Sequence, residues 1–243
     1  MIDLVMTKSL ASELRAILGA VTDDVVLRLT GSGLAVDATD PAHVAMVSLR
    51  AEKGAFEAFT ADEMDVGMDL DKFSEILRVA KAEDTVRLSL DGSNVWTAKA
   101  SNITRRFPIS DPGGVPKVPQ FPFFKATADL LAEPLKPFLV LASTISADLA
   151  IKVSQDRLEM ATEDSVDSVS LAWTKEQLQG LHCTEPCASS FPLDYVMGFA
   201  KAIPSGTVLR TSVGNDYPCK LEFTLAGGKV QGTYILAPRT GGG

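Results

Sequence analysis

Histidine is nearly absent from this chain, at two residues in 243, and cysteine, tryptophan and tyrosine number only three, two and three. Few histidines and cysteines leave little for metal ligation or general acid–base work. No segment approaches the unbroken apolar run of about 20 residues that a membrane span requires. Met1-Ile2-Asp3-Leu4 does not open a basic stretch followed by an apolar block, so no secretory signal is expected. The odd cysteine count argues against a disulfide framework and for a reducing, cytoplasmic setting. Positive charge is short too. The 23 basic and 31 acidic side chains leave a net −8, whereas nucleic-acid binders usually show a strongly basic footprint.

What is present is apolar residue, 46% of the chain and enough for a substantial core, over a length of 243 residues that fits one large domain or two of ordinary size. Leu10, Leu14, Ile17, Leu18 and Val21 recur at helical spacing, as do Phe73, Ile76, Leu77 and Ala80. Leu135, Phe138, Leu139 and Ala142 make a third stripe, and Val196, Phe199 and Ile203 a fourth. Alternating runs between them predict strands over Val25–Thr30, Val44–Leu49, Val86–Leu90, Ser168–Trp173 and Cys219–Leu225. Gly31-Ser32-Gly33, Asp91-Gly92 and Gly227-Gly228 supply turns. The halves keep register. Leu70-Asp71-Lys72-Phe73 and Leu193-Asp194-Tyr195-Val196 lie 123 residues apart, as do Ala38-Thr39-Asp40 and Ala161-Thr162-Glu163. Two copies of one unit are expected, with Asp71 and Asp194 as helix N-caps.

Between the copies, Asp111-Pro112-Gly113-Gly114-Val115-Pro116-Lys117-Val118-Pro119-Gln120-Phe121-Pro122 reads as an exposed linker. Its prolines remove donors and fix φ, and its glycine pair is loose. Domains are expected over 1–110 and 123–243, with 111–122 connecting them. No catalytic set emerges. His182-Cys183 with Cys187 is half a zinc site at most, lacking further ligands nearby. Asp62, Glu63 and Asp65 lack a calcium-loop glycine pattern. Gly31-Ser32-Gly33 precedes no helix and is a hairpin turn rather than a phosphate cradle. No enzyme activity, metal or cofactor is expected.

The helix backs say more. On a helical wheel Lys8, Ser12, Arg15 and Gly19 lie opposite the first apolar stripe, and Arg78, flanked by Lys72 and Lys81, lies opposite the second. Lys136 flanks the third, and Lys201, with Gly198, lies opposite the fourth. One basic helix back is ordinarily a solvated face. Four together would suit a surface that slides along phosphates without reading sequence, although Glu75 and Asp194 share these faces.

Several segments carry a resemblance that runs over nearly the whole chain. They are Asp-Ala-Thr-Asp-Pro-Ala-His-Val at 37–44, the Leu-Asp-x-Phe helix start at 70–73, Val118-Pro119, Asn215-Asp216-Tyr217-Pro218 and Leu236-Ala237-Pro238-Arg239. In these the chain resembles DNA sliding clamps of the proliferating-cell-nuclear-antigen type, in their archaeal form. The resemblance implies an α+β, duplicated DNA-clamp fold, each domain with two helices packed on antiparallel sheets. Three subunits would close head to tail into a homotrimeric ring around double-stranded DNA, helices inside. It implies a non-catalytic polymerase processivity factor of replication and repair. DNA polymerase, clamp loader, nuclease and ligase would be tethered through short peptides.

Carried over by position, the peptide site would use Thr39, His43, Val44, Met46, Val118, Pro119, Pro218, Ile235, Ala237 and Pro238. The DNA-facing set would be Lys8, Arg15, Lys72, Arg78, Lys81, Lys136 and Lys201. Subunits would meet through Val79, Ile103, Arg105, Phe107 and Ile109 of one copy and Val140, Leu141, Cys187, Ser189 and Phe191 of the next, strand edge to strand edge. Two features depart from the family. Pro134 and Pro137 stand in the third helix, Pro134 suiting its first position and Pro137 weakening its first turn or delaying the helix start. The tail Thr240-Gly241-Gly242-Gly243 also lacks the usual acidic end. A member of a heterotrimeric or checkpoint-type ring remains an alternative, and a duplicated β-rich enzyme a more distant one.

Overall fold

The computed structural model describes residues 1–111, 114, 116–119 and 123–239. Part of the expected connector (112, 113, 115 and 120–122) and the tail 240–243 lie outside the described residues. The chain divides into two compact units. The first comprises Met1–Val118 and Thr224–Gly232, and the second comprises Pro119–Phe223 and the chain from Thr233 on. The split falls inside the expected connector. The assignment of all of 123–243 to the second domain is corrected, because Thr224–Gly232 joins the first unit, where Lys229 O accepts from Glu52 N at 3.0 Å.

The first half runs β1 (Ile2–Thr7), α1 (Lys8–Leu18), β2 (Asp24–Thr30), β3 (Gly33–Thr39), β4 (Ala45–Glu52), β5 (Ala58–Ala61), β6 (Met64–Asp69), α2 (Leu70–Val79), β7 (Thr85–Leu90), β8 (Val95–Ala100) and β9 (Ile103–Pro108). The second half repeats that order. It runs β10 (Ala126–Leu131), α3 (Leu135–Ala142), β11 (Asp148–Val153), β12 (Arg157–Glu163), β13 (Ser168–Thr174), β14 (Gly180–Cys183), β15 (Cys187–Pro192), α4 (Leu193–Ala202), β16 (Val208–Val213), β17 (Cys219–Leu225) and β18 (Val230–Leu236). The helices α2 and α4 start 123 residues apart, the offset read from the sequence.

In the first unit β5-β1-β7-β8-β9 form one antiparallel sheet, and β4-β3-β2-β6 are neighbours in another. In the second, β13-β12-β11-β15 form a sheet and β14-β10-β16-β17 are neighbours. Alternation does what period-2 patterning requires: β1 buries Ile2, Leu4 and Met6, and β7 buries Val86, Leu88 and Leu90. Gly33 lets β3 approach β4, since a Cβ there would stand 2.1 Å from Ala51 O. Trp96, wholly buried, donates its indole N–H to Gly67 O at 2.9 Å and so ties β8 to β6. In the second unit Phe199 stacks on Tyr234 at 4.5 Å between centroids, and the Tyr234 hydroxyl donates to Tyr195 O.

Each helix buries its apolar stripe: Leu10, Leu14, Ile17 and Leu18 in α1, and Leu135, Phe138, Leu139 and Ala142 in α3. The capping expectation is corrected. Asp69, in extended backbone, caps α2 by accepting from Lys72 N at 2.9 Å, and Asp71 already sits in the first turn. Pro192 stands at the cap of α4, and Asp194 accepts from its neighbour Tyr195 N at 3.0 Å. A cap residue must precede the helix in non-helical backbone, and the Leu-Asp-x-Phe start is already helical. Pro134 stands just before Leu135 in helical backbone, φ −72° and ψ −14°, makes no side-chain cap bond, and its carbonyl takes Phe138 N at 3.4 Å. Pro137, third in the helix, removes an N–H that has no intrahelical partner in any case.

Candidate functional site

In the first unit the hairpin between β3 and β4 is organised by Asp40, a buried carboxylate. Its Oδ1 accepts from Val44 N and Ala45 N, both at 2.7 Å, and its Oδ2 from Ala42 N at 3.0 Å. His43 turns through positive φ, 57°, and is exposed. The Thr39 hydroxyl donates to Ala45 O at 3.1 Å, and Thr39 stands opposite Met46 in the β3–β4 register. Thr39, His43 and Val44 are thereby brought together at the accessible end of the hairpin, while Met46 points into the core. Val118, half-buried, ends the first stretch of this unit.

In the second unit Pro119 is exposed, Pro218 precedes β17 half-buried, and Ala237 and Pro238 follow β18 half-buried. Ile235 is a core residue. The segment after β18 is fixed from both sides: Arg239 N donates to Ser190 O at 2.8 Å, and Arg239 Nε bonds Asp148 Oδ1 at 2.8 Å. Near Pro218, Phe124 meets Tyr217 edge-on at 5.6 Å and Lys220 Nζ lies 5.6 Å from the Phe124 ring centroid. Asp40, Phe124 and Tyr217 did not figure in the sequence-based set. An aspartate opening a short loop between two alternating runs, the signature of an Asx turn, was the signal for Asp40. The pairing of Phe124 with Tyr217 is non-local and left none.

The basic set is partly neutralised within the chain. Arg15 pairs with Asp71 at 2.9 Å across α1 and α2, and Lys72 pairs with Asp69 at 2.9 Å. Arg78 and Lys201 are exposed and, among the described residues, have no carboxylate partner. Lys8 and Lys136 are half-buried and Lys81 is exposed. The first unit thus carries five of the seven cations and the second only Lys136 and Lys201.

The strand edges differ from expectation. β9 ends its sheet, with Ile103 and Arg106 exposed, Arg105 ion-paired to Glu75 on α2 at 2.7 Å, and Phe107 buried. Beside β9, Val79 at the end of α2 is 52% exposed. β15 also ends a sheet, yet its outer side is occupied. Ser190 O takes Arg239 N, Ala188 N goes to the Asn215 side chain at 2.8 Å, and the Ser189 hydroxyl donates to Gly214 O at 2.8 Å. Cys187, Ser189 and Phe191 are buried. The expectation that Cys187–Phe191 offers a pairing edge is therefore corrected, because its hydrogen-bonding groups and side chains are already used. The opposite edge of that sheet, β13, pairs among the described residues only with β12, and most of its side chains are exposed or half-buried. Beside β13, α3 presents Val140 and Leu141, 55% and 53% exposed. Each unit thus ends in an open strand flanked by an exposed apolar helix flank.

The shared order of elements, two helices and nine strands in each half among the described residues, matches a duplicated clamp architecture. Residues 4–98 match the model for the proliferating cell nuclear antigen N-terminal domain. A DNA polymerase sliding clamp from Methanosarcina mazei is 33% identical over 228 residues, covering 92% of both chains. One from Archaeoglobus fulgidus is 29% identical over 98% of both. A solved structure of the latter organism's clamp, with the C-terminal region of FEN-1 bound, matches with a TM-score of 0.92 at 27% identity over the full length of both chains. The chain belongs to the DNA polymerase sliding clamp family.

Proposed function

We propose that three copies of this chain close head to tail around duplex DNA and tether replication and repair proteins to it. The carrying observation is the pair of unlike open edges. β9 with Val79 in one unit, and β13 with Val140 and Leu141 in the other, are complementary in kind and lie at different places in one subunit. Such a heterologous contact propagates until rotation closes it into a ring. Left open, these edges and the apolar flank beside them would invite aggregation. Val79, Ile103, Arg105, Val140 and Leu141 keep their interface role, and β13 takes the place of Cys187–Phe191.

Inside such a ring Lys8, Arg78, Lys81, Lys136 and Lys201 would supply a diffuse positive field suited to phosphates at any sequence. The net −8 would then reside mainly on the outside. For partner peptides, like the FEN-1 segment on the Archaeoglobus fulgidus clamp, the first unit would offer Thr39, His43, Val44 and Val118, and the second unit Pro119, Pro218, Ala237 and Pro238. No bond is made or broken in tethering, which would take place in the cytoplasm of an archaeal cell, or in the nucleus if the source is eukaryotic.

The test is DNA synthesis by a family-B polymerase on primed circular DNA, with the mass of the chain followed by light scattering. Long products and a single species at trimer mass are expected. A monomer that leaves product length unchanged refutes the reading, and a trimer mass reached only with a second polypeptide makes the ring heteromeric.

A further inference from the structure

Two of the three cysteines meet at one turn. Cys183 ends β14 and Cys187 begins β15, and both thiols donate to one oxygen, Glu185 O, at 3.1 and 3.4 Å. The Cys183 sulfur also lies 3.9 Å from Val153 O, and Val153 is the residue directly opposite Cys187 in the β11–β15 register. The two sulfurs therefore sit on one side of a five-residue turn. Their common acceptor bounds their separation at about 6.5 Å. Cys183 is half-buried, and a cavity of about 460 Å³ lined by Lys152, Asp156, Pro186 and Asn215 reaches Cys187 from solvent.

The turn also grips the chain leaving the connector. Thr184 N and the Thr184 hydroxyl donate to Lys125 O at 2.9 and 3.1 Å, and Lys125 Nζ is ion-paired with Glu185. Lys125 follows Phe124, which packs on Tyr217. Nothing in the clamp reading calls for a cysteine pair here.

We infer that Cys183 and Cys187 are a reversible dithiol that closes to an intrachain disulfide and clasps the turn holding Lys125. The oxidant class is a small disulfide such as oxidised glutathione. The Cys183 thiolate attacks one sulfur of that disulfide and expels a glutathione thiolate. The Cys187 thiolate then attacks Cys183 Sγ in the mixed disulfide and expels the second. Two electrons pass to glutathione, and the protons of both cysteines end on its two thiols. Burial and the nearby Glu185 carboxylate raise the Cys183 thiol, and burial, with Cys183 beside it, raises Cys187. Exchange at neutral pH is accordingly slow, which suits a persistent clasp better than a rapid sensor. Cys219, wholly buried with its thiol pushed up to about 12, serves as the internal standard.

The experiment equilibrates the full-length protein with oxidised glutathione, denatures it under acid, and alkylates free thiols. Mass spectrometry should find Cys219 alone alkylated and the peptide holding both other cysteines lighter by two hydrogens, with no glutathione attached and full reversal by dithiothreitol. In Cys187→Ser, glutathione should remain on Cys183. In the wild-type chain, whose folding is not in question, backbone amides at Thr184 and Ala126 should exchange hydrogen several-fold more slowly after oxidation. Cys183 and Cys187 both still alkylated, a stable mixed disulfide on the wild type, or a bond joining two chains overturns the proposal. Unchanged exchange at Thr184 and Ala126 overturns the clasp. None of these outcomes depends on ring formation or peptide binding.

Discussion

Asp40 Oδ1 accepts the backbone N–H of Val44 at 2.7 Å, and this bond fixes the hairpin that presents Thr39, His43 and Val44. The same carboxylate holds Ala42 and Ala45, so three donors of a tight loop depend on one side chain. In the second unit Asp164 Oδ1 likewise accepts from Val166 N and Asp167 N at 2.8 Å.

Asp40→Ala removes the acceptor while its donors stay in place, leaving two or three N–H groups poorly satisfied. A loss of roughly 2 kcal/mol or more in urea unfolding is expected, together with a weaker clamp-binding peptide in calorimetry. Unchanged stability and affinity would show that water replaces the carboxylate.

Replacing Val118 and Pro119 with aspartates is expected to abolish binding of a polymerase-derived peptide and to leave the trimer intact. Calorimetry and light scattering read the two effects separately. An unaltered affinity would move the peptide site elsewhere.

Val140→Asp with Leu141→Asp places charge on the exposed flank of α3 beside β13. A folded monomer with short synthesis products is expected, with native circular dichroism. Persistence of the trimer mass in sedimentation would show that the flank does not hold the ring.

Arg78→Ala, Lys81→Ala and Lys201→Ala together are expected to shorten products, and more so at lower salt, because screening already weakens these diffuse contacts in the wild type at higher salt. Arg15→Ala alone should do less than Arg78→Ala, since Arg15 already pairs with Asp71. Total loss of activity from one single change would indicate a specific site instead.

The Arg87 guanidinium bonds the Asp3 carboxylate at 2.6 Å and holds its pKa below the ordinary 3.8. A lowered folded pKa adds stability that is present above the unfolded value and is lost as pH falls through the folded one. Asp3→Asn should therefore lower stability at neutral pH, by less than about 1 kcal/mol for so exposed a pair, and flatten the decline below pH 4. Equal acid-limb slopes in chemical denaturation for both proteins would exclude this contribution.

Much of the molecule was legible in its residues because the signals are local. The stripe Leu135, Phe138, Leu139 and Ala142 fixes the buried face of α3, and the repeat of Leu-Asp-x-Phe gives the offset between α2 and α4. Scarce histidine and cysteine, and the segments 37–44 and 236–239, pointed to a scaffold of the clamp family before any coordinates. Tertiary structure alone decided where β-strand edges remain open. Cys187–Phe191 and Ser168–Thr174 are both strands of one sheet, and only the arrival of Arg239, Asn215 and Gly214 closes the first and leaves the second free. The same holds for Arg15 with Asp71 and for Phe124 with Tyr217. Periodicity tells which way a side chain faces along its own element, but a partner 49, 56 or 93 residues away is set by how the elements pack.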